Sequence, residues 1–320
     1  MRKYIVSLVL MVMIAVMAVI ALNRQWFNDW WKGMHYQPEG EMGRIMDDLN
    51  LTDRGEFLFR ASQPQLSSRN EFNLRCRMVM DEEIAVLGCY TNDSIYIYNI
   101  ESKELDGIRE LTMAHELLHA VWARMSENEK RELDTALTQT YDQNRAVLEK
   151  ELVTYDASLR QEELFVRAGT EVASLPTELE KVYGEIFRDQ DAVVKFYDKY
   201  IGVFREMEAE MEALSQQMEV LQTEIDGLTA EYEQRLDQLE IEVKDFNNCA
   251  STMGCFSSES DFYARRAVLV GEQGELEAMY NQINGLVEQY NELVGKYNAD
   301  VTQTQQLNQM MNSASRPEKL

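Results

Sequence analysis

The sequence predicts a mainly helical protein with a small β-sheet near its start and a long antiparallel helical hairpin near its end. Short segments rich in β-branched and aromatic residues fall between residues 57 and 100, which favours strands. From residue 126 onward, Ser or Thr followed three residues later by Glu or Gln precedes apolar periodic runs, which indicates capped helices. From residue 214 onward, apolar residues recur at spacings of three and four, which is typical of a coiled coil.

Composition excludes one class of function. The chain has 320 residues, 45% of them hydrophobic, which is enough for one ordinary domain with extensions. Its formal net charge is −25 at pH 7. Proteins that bind nucleic acid present a basic face, so we expect no nucleic-acid partner.

An uncharged segment near the N-terminus predicts a transmembrane anchor at residues 1–25. Arg2 and Lys3 precede Tyr4–Leu22, a run without charge that approaches the about 20 residues of a membrane-spanning helix. A cleaved signal peptide is the alternative, but its apolar region would be only about 7 to 15 residues long. The two basic residues favour a cytoplasmic N-terminus and an extracytoplasmic chain. An aromatic cluster follows, which consists of Trp26, Phe27, Trp30 and Trp31. It is suited to the outer membrane interface or to packing on the folded domain.

The segment before residue 101 predicts one helix and several strands. Gly40–Asn50 is an amphipathic helix candidate. Ser94–Ile100 alternates by residue type and is expected to be a strand beside the helix that follows it. The other predicted strands are Phe57–Phe59, Arg75–Met80 and Ile84–Cys89.

The sequence HELLH at residues 115–119 carries the clearest chemical signature. On a helix, residues i and i+4 lie on one face, so His115 and His119 can reach the same ion. This spacing is typical of zinc hydrolases, in which two imidazoles and a third protein ligand leave one position open for water. Glu116 is then a general base for that water rather than a ligand. A pair of core histidines beside an incidental glutamate is the alternative, and it fits worse because the chain has only three histidines.

Three capped helices are predicted after the HELLH segment. Ser126–Glu129 is a capping box that opens a helix to about residue 155. Ser158–Gln161 and Thr177–Glu180 open two more. Because metallopeptidases with this motif often take a glutamate from a following helix, the candidates for the third ligand are Glu162, Glu163 and Glu171. His35 lies too close to the predicted anchor to be chosen.

Four cysteines form two local pairs, Cys76 with Cys89 and Cys249 with Cys255. An even number of cysteines in an exported chain favours disulfides. A cysteine-rich metal site is the alternative, but the sequence has no C-x-x-C spacing. We therefore expect both bridges.

Residues 191–307 predict an antiparallel coiled-coil hairpin. Residues 247–260 break the heptad pattern with small and polar residues, and Cys249 and Cys255 would pin this tip. The apolar stripe is either a plain intramolecular core or, because two helices leave much of it uncovered, a surface for a homodimer or a protein partner. Residues 308–320 are predicted to form a disordered tail.

Three segments together resemble a group of bacterial membrane-anchored zinc metallopeptidases. They are GCYTNDSIYIY at 88–98, DGIRELTMAHELLHAVW at 106–122 and ELFVRAGTEVASLPTELEKVY at 163–183. The resemblance covers roughly residues 45–190, and the group is similar to the gluzincins in its H-E-x-x-H with a downstream glutamate.

The resemblance implies a zincin-like metallopeptidase domain at residues 26–190 that holds one zinc ion. The pattern E-L-x-x-x-x-G-T-E contains Glu163, which we take as the third ligand, and Glu171, the alternative. The sequence departs from the common gluzincin layout, in which an acidic residue follows the ligand four positions later, because that position holds Arg167. In this layout an edge strand near the metal can hold an extended peptide, and we assign Ser94–Ile100 to that role.

The expected function is that of a zinc-dependent peptidase, single-pass in the cell membrane and extracytoplasmic, which acts on a peptide or protein substrate. Zinc polarises the scissile carbonyl and its bound water, and Glu116 takes a proton from that water and can return it to the leaving amine. Tyr183 is a candidate oxyanion donor, although core packing also explains it. The alternative function is a non-catalytic envelope adaptor that acts through the hairpin on a zinc-stabilised fold. Glu116 favours the peptidase, because a structural zinc site needs no general base.

Overall fold

A computed structural model describes residues 23–77, 87–153 and 155–313, together with Met13 and Met17. Most of these residues are helical, and the sheet among them has three strands. The prediction of a mainly helical chain with a small sheet is therefore confirmed.

The chain divides into two compact units. The first comprises Met1–Phe204 and Leu307–Leu320, and the second comprises Arg205–Gln306. The predicted anchor, Tyr4–Leu22, lies outside the described residues except for two methionines. Within the described part, no helix combines the length and the apolar character needed to cross a bilayer.

In its described residues, the first half of the first unit contains four helices and the three strands. The predicted helix at Gly40 is present, but the predicted strand Phe57–Phe59 is wrong because these residues are helical. Thr52 caps that helix by accepting a hydrogen bond from the Gly55 N–H at 3.1 Å, and Phe59 is fully buried on its inner face. The elements are α1 Arg24–His35, α2 Gly40–Asp48, α3 Asp53–Ala61, β1 Gln65–Ser67, α4 Arg69–Arg75, β2 Gly88–Thr91 and β3 Ser94–Tyr98.

The strand order of the sheet is β1-β3-β2, with β1 parallel and β2 antiparallel to β3. The predicted strand that starts at Ser94 is confirmed as β3. Its assignment to a sheet edge is wrong, because β3 is the central strand and pairs with β1 on one side and with β2 on the other. The edge strand that packs on the helix with the HELLH motif is β2. The predicted strand Arg75–Met80 is not formed at Arg75, which ends α4, and residues 78–80 lie outside the described part. The predicted strand Ile84–Cys89 overlaps β2 only at its end.

In the described residues, five helices lie between the sheet and the first of two long helices. The capping box of Ser126 and Glu129 is confirmed, with both of its hydrogen bonds formed. The predicted continuous helix to about residue 155 is divided at Asn144, and the boxes predicted at residues 158 and 177 are absent because Leu159 and Pro176 occupy those N-cap positions. The helices are α5 Ile108–Trp122, α6 Glu127–Gln143, α7 Arg145–Leu152, α8 Arg160–Glu171 and α9 Thr177–Gly184.

Both predicted disulfides are present. Cys76, at the end of α4, is bonded to Cys89 in β2, and Cys249 is bonded to Cys255. The first bridge ties α4 to the edge strand that packs on α5. Disulfides persist in oxidising compartments, which fits an exported chain.

Two long helices, α10 at Gln190–Ala250 and α11 at Glu259–Met311, account for the predicted hairpin. They are antiparallel, because the residue number of one partner falls as that of the other rises. The predicted stripe residues Leu214, Leu239 and Leu276 are buried. The contacts that define the pairing join Tyr232 to Tyr280, Arg235 to Glu272 and Phe246 to Phe262.

The tip and the tail of the hairpin differ slightly from prediction. Only residues 251–258 are non-helical at the tip. The predicted disordered tail begins too early, because α11 continues to Met311, and Met311 is buried. Residues 314–320 lie outside the described part.

Candidate metal centre

Helix α5 carries His115, Glu116 and His119 and is buried around most of its circumference. Its residues Met113 and Leu117 are fully buried, as the uncharged flanks of the motif predict. Strands β2 and β3 pack on one side of α5, and α8 packs on another. The imidazole side chains of His115 and His119 keep 21% and 19% exposure, so both rings remain open to solvent.

Helix α8 approaches α5 closely because Gly169 has no side chain. A Cβ atom there would lie 2.5 Å from Leu118 Cδ1 and 2.7 Å from Tyr183 Cε1. This approach places the buried carboxylate of Glu163 beside both imidazoles of the motif. Glu163 Oε1 lies 3.8 Å from the Nε2 atom of the first histidine, and Oε2 lies 3.5 Å from that of the second.

The three side chains fit a tetrahedral metal ion. The ligand atoms of His115, His119 and Glu163 all lie within 4.8 Å of one another. A tetrahedral ion with bonds of about 2.0–2.1 Å separates its ligand atoms by about 3.4 Å, which is close to the two His–Glu distances. Among the described residues, no second group of His, Cys, Asp or Glu converges in this way.

Two further residues of α8 hold these ligands in place. Glu162 Oε1 lies 2.7 Å from His119 Nδ1. A proton on Nδ1 that is donated to Glu162 leaves the Nε2 lone pair available to a metal. Arg167 donates to Glu163 Oε1 at 2.6 Å and to Glu171 Oε1 at 2.8 Å. Of the three candidate ligands, Glu163 thus joins the histidines, Glu162 supports one of them, and Glu171 lies outside the cluster.

Burial and neighbouring charges shift the pKa values of this cluster in opposite directions. Burial lowers the pKa of His115 to about 3, although Glu163 opposes this effect. Burial would also lower the pKa of His119, but hydrogen bonds to Glu162 and Glu163 outweigh it and raise this pKa to about 10. Burial disfavours the charged form of Glu163, yet both histidines and Arg167 outweigh it and hold the pKa of this carboxyl well below its usual range. Metal ligation requires an ionised carboxylate and a neutral imidazole, so a bound metal ion would take the place of the proton on His119 Nε2.

Strand β2 holds Glu116 in place. The Tyr90 backbone N–H donates a hydrogen bond to the Glu116 carboxylate. Burial, reinforced by Glu163, raises the pKa of Glu116 to about 7 against the opposing effects of His119 and this N–H. Gly88 leaves room for the side chain, because a Cβ atom there would lie 2.6 Å from both Cγ and Oε1 of Glu116. A carboxyl group with a pKa near 7 suits a general base at neutral pH.

Tyr183 belongs to the core rather than to the metal cluster. It is fully buried, and its hydroxyl donates to the Phe165 carbonyl at 2.6 Å. Its ring packs on the Phe165 ring, with the centroids 5.1 Å apart. The core-packing alternative therefore describes this residue, and the role of oxyanion donor does not.

Tyr155, which the sequence marks only as a predicted helix end, lies beside the cluster. It follows α7 and is hydrogen-bonded to Arg167. Burial, and then the charge of Glu163, raise the pKa of Tyr155 to about 12. The phenol therefore stays protonated at neutral pH next to the proposed ligand.

Comparisons with protein-family models, with curated proteins and with solved structures give no match for this chain. The resemblance to gluzincin-like peptidases is untested and stays a prediction.

Proposed function

We propose that this protein is a zinc-dependent peptidase of the gluzincin-like kind, anchored in the cell membrane with its catalytic domain outside the cytoplasm. The observation that carries the proposal is the convergence of His115, His119 and Glu163 beside the buried carboxylate of Glu116. A structural metal site has no use for such a carboxylate. Two disulfides support an extracytoplasmic location.

The reaction is hydrolysis of a peptide bond. A zinc ion held by the three ligands would supply Lewis acidity at the scissile carbonyl and at the attacking water. Glu116 takes a proton from that water and returns it to the leaving amine. Tyr155 replaces Tyr183 as the candidate oxyanion donor, because it is hydrogen-bonded to Arg167, which contacts Glu163 at 2.6 Å.

Strand β2 offers a surface for an extended peptide. The Tyr98 N–H donates to the Leu87 carbonyl at 2.8 Å, and hydrogen-bonded positions alternate along an antiparallel pair. The backbone polar groups of Gly88 and Tyr90 accordingly point away from β3. Because the Tyr90 N–H donates to Glu116, the Tyr90 carbonyl and both backbone groups of Gly88 are the ones offered to a peptide. A peptide bound along this edge through main-chain hydrogen bonds would lie beside Glu116. We therefore assign substrate binding to β2 instead of β3.

Metal analysis combined with a hydrolysis assay tests the proposal. The purified full-length protein is expected to contain one zinc ion per chain and to cleave a denatured protein. A chelator should remove both the zinc and the activity, and added zinc should restore them, because the three ligands form an open site. Full activity of metal-free protein, or no zinc binding at any concentration near neutral pH, would contradict the proposal.

Replacing Gly88 by Ala should reduce hydrolysis by about 10²-fold, which is the typical cost of misplacing a catalytic group by about 1 Å. The new methyl group would overlap the Glu116 side chain, and the atoms nearest to it belong to Glu116 and Thr112 rather than to a metal ligand. Zinc content should therefore stay at the wild-type level. Gly184→Ala is the matched control, since a Cβ atom there meets nothing within 4 Å. A wild-type rate for Gly88→Ala would show that Glu116 is not held in the catalytic position by β2.

A second candidate function is that of a non-catalytic envelope adaptor acting through the hairpin. The observation that favours it is the exposure of Val220, Ile241 and Val268 on the helices of the second unit, by 68%, 56% and 67%. Isolated apolar side chains are common on protein surfaces, so we give this function second place. It predicts identical product profiles for the wild-type protein and for a variant without the general base.

A further inference from the structure

Helix α1 exposes three of the four tryptophans of the chain. Trp26, Trp30, Trp31 and Met34 are exposed by 54%, 42%, 61% and 60%. At about 100° per residue, these side chains and Phe27 fall within an arc of about 140° on the helix. We call this surface the aromatic face of α1.

The opposite side of α1 is fixed to the folded unit. Asp29 is 3% exposed and accepts hydrogen bonds from Arg124 Nε and Nη2, both at 2.8 Å. Arg124 Nη1 also donates to the Tyr90 hydroxyl at 2.8 Å. Gly33, on the same side of α1, would place a Cβ atom 3.7 Å from the Ala61 nitrogen. Because these contacts fix the rotation of α1, its aromatic face points away from the core.

The chemistry of the aromatic face fits a lipid bilayer. The one acidic residue of α1, Asp29, is buried against Arg124, so the exposed part of α1 carries no negative charge on a chain of formal charge −25. Tryptophan is enriched where a bilayer meets water, and a helix in that plane buries its apolar face among headgroups and upper acyl chains. The uncharged run Tyr4–Leu22 ends two residues before α1 begins at Arg24, so a bilayer that holds this run is within reach.

We propose that α1 lies flat on the extracytoplasmic surface of the bilayer, with its aromatic face inserted in the interface. This surface is a second membrane contact beside the apolar run, and it does not depend on peptidase activity. Arg124 links α1 to Tyr90, so membrane contact also sets the orientation of β2 relative to the bilayer.

Tryptophan quenching in proteoliposomes distinguishes a flat helix from an upright one. The reference protein is the full chain with Trp26→Phe, Trp30→Phe and Trp31→Phe, which keeps the buried Trp122 as background. Three variants of the reference protein each carry one tryptophan in α1 as a reporter. The first restores Trp26, the second restores Trp30, and the third introduces Met34→Trp. Residues 26 and 34 share a depth if α1 lies flat, and they differ by about 12 Å in depth if it stands upright, at 1.5 Å per residue.

With lipids brominated near the headgroup, a flat α1 predicts a similar loss of fluorescence from all three reporters and no loss from the reference protein. The proposal would be overturned if brominated lipid quenched the fluorescence of residue 26 strongly and that of residue 34 weakly, while acrylamide quenched residue 34. Reporters shielded from both quenchers in a protein that cross-links as a dimer would also overturn it, because a second copy would then cover the aromatic face.

Discussion

Replacing Glu116 by Gln is expected to lower hydrolysis by about 10³-fold, within the roughly 10²–10⁴-fold that a general base contributes. The two side chains have the same shape, but an amide cannot accept the proton from water. Because Glu116 is not one of the converging ligands, the zinc content of the variant should equal that of the wild-type protein. Initial rates on a denatured protein and metal analysis of the same sample measure both quantities.

A second glutamate of α5 provides the matched control. Glu110 is also buried, at 8% exposure, but it lies in the first turn of the helix and outside the metal cluster. Glu110→Gln should keep both the rate and the zinc content. A zinc-loaded Glu116→Gln protein that hydrolyses at the wild-type rate would instead favour the adaptor function.

Replacing Glu163 by Gln is expected to lower zinc affinity by more than about 10²-fold, because it removes the proposed direct ligand, whereas an outer partner of a ligand contributes about 10–100-fold. The amide also removes the charge that Arg167 contacts at 2.6 Å, while the contact of Arg167 with Glu171 at 2.8 Å remains. The affinity is measured by competition with a chelator of known strength. Circular dichroism of the metal-free protein establishes that the variant is folded.

The two other glutamates of α8 should have smaller effects on zinc affinity than Glu163. Glu162→Gln should weaken zinc binding by about 10–100-fold, because it removes the carboxylate that orients His119. Glu171→Gln should have the smallest effect, since Glu171 is not one of the converging ligands and contacts Arg167, the partner of Glu163. If Glu171→Gln caused the largest loss, the assignment of Glu163 as third ligand would be wrong.

Structural features that depend on residues close together in the chain could be predicted from the sequence. The site helix follows from the apolar residues around the HELLH motif, and the seam that contains Leu214 and Leu276 follows from its heptad spacing. The capping box of Ser126 is equally local, because both of its hydrogen bonds join residues three apart.

The sequence predictions were wrong where a local pattern fits both a helix and a strand, or where residues distant along the chain determine the structure. Phe57–Phe59 is too short an apolar run to separate a strand from a buried helical turn. The central position of β3 depends on pairing with Gln65–Ser67, a strand of three residues that has no periodicity to detect. The box expected at Thr177 fails because Pro176 already occupies the N-cap.

By itself, the sequence determined that His115 and His119 share a helical face with Glu116 beside them, because the turn of a helix fixes those positions whatever surrounds it. It also limited the third ligand to a few glutamates of α8. The sequence favoured Glu163 over Glu171, and the tertiary structure brings Glu163 beside both histidines through the close approach at Gly169. Only the tertiary structure determined the roles of Gly88, Tyr155 and Asp29, because these come from contacts between segments that are distant along the chain.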